Sequence, residues 1–517
     1  MMEIPWLSFT VWSPFVAAVV LMCIPGSSKG AIRLVSVVGA AASLLGSIVV
    51  ARSYDLEKGG YQLQERFDLV PSLGIRYDLA VDGWGVSLLL LTGIIILAGA
   101  FATWTLEDRP KEFYILLLVL VTGVFGVFVS LDLFIFFLFY EIAVLPMYLL
   151  IGIWGSTTEV AEAGPFRYIF RLLDIGGKEY AAMKLTLMLL IGSALILVGL
   201  LAMWNALGGT TFNMLDMQAH SFGTTMQLWA FPALWIGFGT LGGVWPFHTW
   251  SPDGHASAPT AVSMLHAGVL MKLGAFGVIR VGMVLLPDGA AAWAVVVGVV
   301  AVVNVVYGAF CAMGQTDLKY IVAYSSVSHM GIVMLGAATL TIDGWNGAVY
   351  QMFAHGIMTG LFFALVGLVY ERAHHREIFQ MGGFAKKMPA VAVFFTLACL
   401  SSLGLPSLAG FVAEFLVFLG AWQSEHAWWA IAGILGAWVT AIYVLRCSRA
   451  IFWGEGPPEG HDDLTDAKGT EWVALIGLGA CLVLFGCWPG LILEFIDDTT
   501  IDYLGQIVDL SAQGVTK

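Results

Sequence analysis

The sequence predicts an all-α polytopic membrane protein of about fourteen transmembrane helices. Three observations predict it. The 517-residue chain is 59% hydrophobic and 11% charged, a composition foreign to soluble domains. Its apolar residues gather in runs long enough to cross a hydrocarbon core about 30 Å thick. Backbone groups in lipid must be satisfied within their own segment, which leaves helices as the spanning element. The formal charge of −13 falls in loops, so it implies no anionic partner and gives no support to nucleic-acid binding. Six cysteines are scattered through apolar spans without a CxxC pair, so no iron–sulfur or other metal site is expected. No GxGxxG or P-loop stands in a strand–helix context, so neither direct NADH binding nor any cofactor of this chain's own is expected.

Taken in order, the spans fall near 5–24, 31–50, 84–105, 112–130, 131–153, 183–204, 226–245, 260–285, 291–312, 319–338, 344–370, 389–421, 425–454 and 471–495. The first lacks a basic n-region and a small-residue cleavage site, so it reads as a retained helix, not a signal peptide. Loop 51–83 carries short strand-like patches in YQLQERFDLVPSLGIRYDLAVDG and is read as a hairpin lid. Spans four and five are joined by a short turn at Ser130-Leu131-Asp132. Loop 155–183 spaces Arg167, Arg171, Asp174, Lys178 and Glu179 as an interfacial helix would. Between spans seven and eight, Pro246, Pro252 and Pro259 break the helix, with Asp253, Gly254 and His255 between them. Gly404, Pro406 and Gly410 interrupt span twelve.

Alternate loops differ sharply in basic residues. One set holds Lys29, Arg33, Arg109, Lys111, Arg167, Arg171, Lys178, Lys184, Lys319, Arg372, Arg376, Lys386, Lys387, Arg446, Arg449 and Lys468, the other only Arg52, Lys58, Arg66, Arg76 and Lys517. The positive-inside rule then places both termini in the periplasm and loop 155–183 in the cytoplasm, for a protein of the inner membrane. A weak internal repeat sets five spans from about 112 to 285 against five from about 291 to 454, inverted in the membrane. The expected division is an N-terminal part (1–110), two five-helix repeats (111–285 and 286–454) and a C-terminal part (455–517).

Ionisable residues at mid-membrane depth mark function by default. Glu141 lies ten residues into span five, with Pro146 after it. Lys272 lies about 18 Å along span eight from Thr260. His329 and His355 stand mid-span in the tenth and eleventh, and Glu414 follows the break in the twelfth. Together they read as a proton path, since imidazole both accepts and donates a proton and buried carboxylates and lysines change charge near neutrality. Each has a plainer reading. Glu141 pairs with a neighbouring helix, Glu414 makes a subunit contact, and His329 is a packed histidine hydrogen-bonding a serine. Lys184 and Lys319 read equally as positive-inside anchors. His248 and His255 suit a cap or a turn, as does Asp253, and His266, six residues before Lys272, points to another face.

FYEIAVLPMYLLIGIWG (139–155), PFHTWSPDGHASAPTAVSMLHAGVLMKLGAFGVIR (246–280), QTDLKYIVAYSSVSHMG (315–331), GAVYQMFAHGIMTGLFFALVGLVYER (347–372) and SSLGLPSLAGFVAEF (401–415) carry a resemblance. The chain resembles the family of antiporter-like subunit M, or chain 4, of respiratory complex I, over about residues 76–454. The resemblance implies a fourteen-helix proton-translocating module with two inverted five-helix repeats and broken helices seven and twelve. It implies proton transfer by Glu141, Lys272 and Glu414, with His329 and His355 between them. The family's lysine in the broken seventh helix is missing, since an ungapped match puts Leu241 there. Lys184, His248 or water then stands as the candidate partner of Glu141.

The implied assembly is a complex-I-like NADH–quinone oxidoreductase with L-, N- and K-type membrane subunits as partners. FMN and iron–sulfur clusters are expected on other subunits. The alternatives are a subunit of a cation/proton antiporter or of a membrane-bound hydrogenase complex, and a scaffold with dead channels.

Overall fold

In the computed structural model, residues 4–157, 176–458, 460–461 and 464–514 are described. The interfacial helix expected around Arg167, Arg171 and Asp174 lies outside them. Among the described residues, eleven helices are long and apolar enough to cross a membrane. They are α1 (Trp6–Cys23), α2 (Lys29–Ser53), α3 (Gly83–Ala102), α4 (Pro110–Val129), α5 (Leu133–Trp154), α6 (Lys178–Ala206), α9 (Thr260–Met283), α10 (Pro287–Gly314), α11 (Leu318–Ala338), α12 (Ile342–Ala373) and α15 (Trp428–Phe452). Helices α7 (Thr224–Leu241) and α8 (Trp250–Ser257) precede α9, and α13 (Pro389–Ser402) and α14 (Ala409–Gln423) precede α15. The chain ends in α16 (Glu471–Cys487) and α17 (Gly490–Gly514).

Two expectations on spans need correction. The last span, expected as one run over 471–495, is bent by 63° between α16 and α17, where Pro489 cannot donate a backbone hydrogen bond. Span twelve is broken as expected, into two short helices, α13 and α14. The stretch expected as an open break around Pro252 and Asp253 holds α8, because Pro252 sits in its first turn, where a missing N–H costs nothing.

The expected turn between α4 and α5 forms at Ser130–Asp132. Asp132 caps α5, accepting from the amides of Phe134 (2.9 Å) and Ile135 (3.1 Å). The expected hairpin forms as β1 (Gln62–Val70) and β2 (Ile75–Val81), antiparallel, with Arg66 opposite Asp78 and Phe67 opposite Tyr77. Glu65 of β1 accepts from the amides of Leu7 and Ser8 at the start of α1. Tyr503 of α17 donates to Asp82 just after β2. The first turn of α1 and part of α17 therefore meet at the hairpin end.

The helices differ in exposure as their sequences require. α9, α11 and α12 are buried along almost their whole length, whereas α1, α2, α6 and α10 show wide apolar faces, which suit lipid or partner helices. The three enclosed helices are those that carry Lys272, His329 and His355.

At the opposite end, His375 Nε2 and His461 Nε2 lie 3.0 Å apart, a contact that needs at least one neutral ring. Burial first, then the neighbouring His461, pushes His375 below the ordinary histidine range, against a smaller opposing pull from Glu377. A folded-state value below the unfolded one near 6.5 means that this contact is fully present above about pH 6.5 and is lost as pH falls further. His375→Gln is expected to flatten that acid limb in thermal melts between pH 5 and 7.

Candidate proton-transfer site

The site is built on α9, whose regular ladder gives way twice to π-helical turns, at His266–Leu270 and Val278–Met283. Such turns leave backbone carbonyls free for other partners. Lys272 lies just past the first, fully buried. Its Nζ donates to the Ala267 carbonyl and lies 2.6 Å from His355 Nδ1 on α12. The ring of His355 stands 5.2 Å from that of His329 on α11. His329 Nδ1 is 3.4 Å from Glu414 Oε1 on α14 and 3.1 Å from Gln351 Nε2. Its Nε2 is 3.1 Å from Ser402 Oγ at the end of α13. Lys272, His355, His329 and Glu414 thus form one row across four helices.

The break between α13 and α14 positions the far end of this row. Gly404 has φ +74°, and a β-carbon there would stand 2.8 Å from Glu414 Oε2. Both the left-handed backbone and the close approach call for glycine. The opened turn lets Glu414 reach the bundle interior.

A second cluster extends from α8. The rings of His255 and His266 are 4.2 Å apart, and His266 stacks on Trp250. Neither nitrogen of His266, nor Nδ1 of His255, nor Nε2 of His355 has a hydrogen-bond partner among the described residues. Buried polar atoms of this kind are normally satisfied by ordered water.

Asp253 is not the turn residue the sequence suggested. It accepts from Lys184 Nζ (2.7 Å) and from the Tyr320 hydroxyl (2.9 Å), tying α6, α8 and α11 together. This pair also corrects the reading of Lys184. Glu141 faces α6 beside Ser193, nine residues and about 13 Å of helix from Lys184. Lys184 therefore does not stand in for the missing lysine beside Glu141. Nor does His248, whose ring edge meets Tyr307 at 5.2 Å. Leu241 is fully buried. Glu141 Oε1 has no hydrogen-bond partner among the described residues and borders an outer face of α5 where Leu138 and Leu145 are exposed. Lys319 donates to the Ala258 carbonyl at 2.7 Å, so it anchors the α8–α9 break.

Sequence reasoning missed Asp82 and Arg280 as a pair. Arg280 Nη2 lies 2.6 Å from Asp82 Oδ2, both almost fully buried. Arg280 stands well inside predicted span eight (260–285), apart from the basic residues of the loops, and that was the available signal.

With this geometry in place, the comparisons are specific. A family model described as NADH:quinone oxidoreductase/Mrp antiporter, transmembrane, matches residues 175–440. A protein named NAD(P)H-quinone oxidoreductase chain 4 1, from Synechococcus sp. (strain JA-2-3B'a(2-13)), is 38% identical over 524 residues, covering 100% of this chain and 96% of its own length. The chain belongs to the NAD(P)H-quinone oxidoreductase chain 4 family. Among solved structures, a chain of respiratory complex I from Thermus thermophilus with bound NADH superposes at TM-score 0.85 with 28% identity, covering 97% of this chain and 99% of that one. A chain of the Mrp complex from Dietzia sp. DQ12-45-1b superposes at 0.82 with 20% identity and 97% and 99% coverage, a likeness of fold alone. The resemblance read from the motifs is borne out, as is the reading of a helical, multi-pass membrane protein. The polar row from Lys272 to Glu414 lies inside residues 175–440, the part that the family model matches.

Proposed function

We propose that this chain is a proton-translocating membrane-arm subunit of a complex-I-like NAD(P)H–quinone oxidoreductase. It partners other membrane-arm subunits, of L-, N- and K-type, and holds no redox centre. FMN and iron–sulfur clusters belong to those partner subunits that carry the electron chemistry. The observation that carries this reading is the row Lys272–His355–His329–Glu414, whose first three members lie in the most enclosed helices.

Each neighbour in the row changes what the next can hold. A proton on Lys272 disfavours one on His355, and a charged Glu414 favours one on His329. Moving charge at one end therefore shifts the proton along by population, with imidazole as donor and acceptor. The His255–His266 cluster and its waters supply Lys272 from the α8 side, and Lys184–Asp253 with His248 lies at the mouth. Glu141 stands apart from this row and acts at the outer face of α5, through Ser193 and water. Lys272 belongs to the first of the two repeats expected from the sequence and His329, His355 and Glu414 to the second, so the row would cross the repeat interface. The excess of basic loop residues at the end opposite the hairpin favours a cytoplasmic membrane with the hairpin and both termini in the periplasm.

The test is proton uptake driven by NAD(P)H in liposomes that hold the purified complex. Glu414→Gln is expected to cut uptake about tenfold at matched assembly, since a positioned proton carrier contributes at least that much. Glu141→Gln is expected to reduce it as well. Uptake equal to wild type in Glu414→Gln would overturn the row. Uptake that depends on sodium instead of on the electron donor would shift the reading to an antiporter subunit.

A further inference from the structure

We propose that Asp82, Arg280, Tyr61 and Tyr503 form an insulating plug that closes the hairpin end of the proton route through Lys272. The proposal rests on the proton-transfer reading of Lys272. Arg280 lies on the same helix, eight residues and about 12 Å further toward the hairpin. It is 3% exposed. Besides its ion pair with Asp82, its Nη1 donates to the hydroxyls of Tyr61 and Tyr503. Tyr503 in turn donates to Asp82 Oδ2 at 3.0 Å, and Asp82 Oδ1 accepts from the Gly85 amide at 2.9 Å. The rings of Tyr61, Trp84, Phe276 and Tyr503 stand 4.9–5.3 Å from the guanidinium carbon.

The members come from four places: the segment before β1, the cap of α3, the second π-turn of α9, and α17. That second π-turn, Val278–Met283, contains Arg280, as the first precedes Lys272.

The chemistry of these groups resists relay. A guanidinium does not release its proton at any working pH. Both Asp82 oxygens are engaged by donors. Four aromatic rings wall the guanidinium, whose Nε alone lacks a partner among the described residues, and the fixed cation repels an approaching hydronium. A proton wire that reaches Lys272 from the histidines therefore stops at Arg280 until the cluster opens. Because Tyr61 and Tyr503 sit on the pre-hairpin segment and the last helix, movement of either element would open it.

The experiment uses the intact complex in liposomes without electron donor, with a pH gradient imposed and an internal pH dye. The Asp82→Asn/Arg280→Gln double variant removes both charges and leaves none buried alone, which buried pairs tolerate best. It is expected to raise passive proton permeability about tenfold, the effect of a barrier lowered by about 1.4 kcal/mol. Adding Lys272→Ala to that background is expected to return permeability to the wild-type level. Tyr503→Phe, which keeps the ion pair, is expected to show a smaller rise. An assembled double variant as proton-tight as wild type would overturn the plug, and so would a leak that persists after Lys272 is removed. The underlying reading fails separately, in donor-driven uptake by Lys272→Ala alone.

Discussion

Lys272→Ala is expected to lower donor-driven proton uptake by about two orders of magnitude, the lower end of what a positioned proton-transfer group contributes. The size follows from position. Lys272 Nζ lies 2.6 Å from His355 Nδ1 and donates to the carbonyl of Ala267, the residue next to His266 of the second cluster. Remove the amine and His355 loses the ionisable partner within hydrogen-bond reach on the α9 side of the row. The conservative variant separates the two roles a buried lysine can have. Lys272→Arg keeps a cation and hydrogen-bond donors, so it would rescue a structural role. It does not give up its proton, so it is expected to pump as poorly as alanine. The measurement is proton uptake per electron donor oxidised, with assembly checked by native electrophoresis. An alanine variant that pumps normally would make Lys272 structural, and an arginine variant that pumps normally would rule out its deprotonation.

Much of this site was legible in the sequence because membranes make isolated ionisable residues conspicuous. Lys272, His329, His355 and Glu414 each stood alone in an apolar run, and the structure brings all four into one row. The turn at Ser130–Asp132 and the hairpin in 51–83 were legible for local reasons: a capping aspartate, and alternating residues between turn formers. What the sequence hid was pairing across distance. Lys184 and Asp253 are 69 positions apart, and neither the positive-inside reading of one nor the turn reading of the other points to its partner. The same holds for Asp82 with Arg280. Span counting erred at the last span, since hydropathy runs straight through Pro489, whereas Gly404, Pro406 and Gly410 announced the gap between α13 and α14. The π-turns of α9 left no signal in side-chain periodicity, because every residue of that helix is buried and no polar face marks its register.

The largest expected effect on stability comes from Asp82→Ala. It leaves Arg280 buried with its cation unpaired, a change that costs about 3–5 kcal/mol. It also deletes the cap of α3, where Asp82 accepts from the Gly85 amide, worth about 1 kcal/mol more. Three neighbouring contacts hang on the same point. Trp84 Nε1 donates to Thr500 Oγ1 and the Gly83 amide to Thr499 Oγ1, each at 3.1 Å, so α17 docks on the first turn of α3. A misplaced α3 start would loosen that docking together with the Tyr503 bond. Asp82→Ala should therefore fail to assemble, or melt well below wild type when the solubilised complex is heated and followed by tryptophan fluorescence. The Asp82→Asn/Arg280→Gln variant should melt much closer to wild type, because no bare charge remains and asparagine still caps a helix. The contrast between the two matters more than either value. If both fell equally, the packing of these side chains, not their charge, would hold the hairpin end together. If Asp82→Ala melted with wild type, water would already reach Arg280, and a wet guanidinium at that place would be incompatible with an insulating seal.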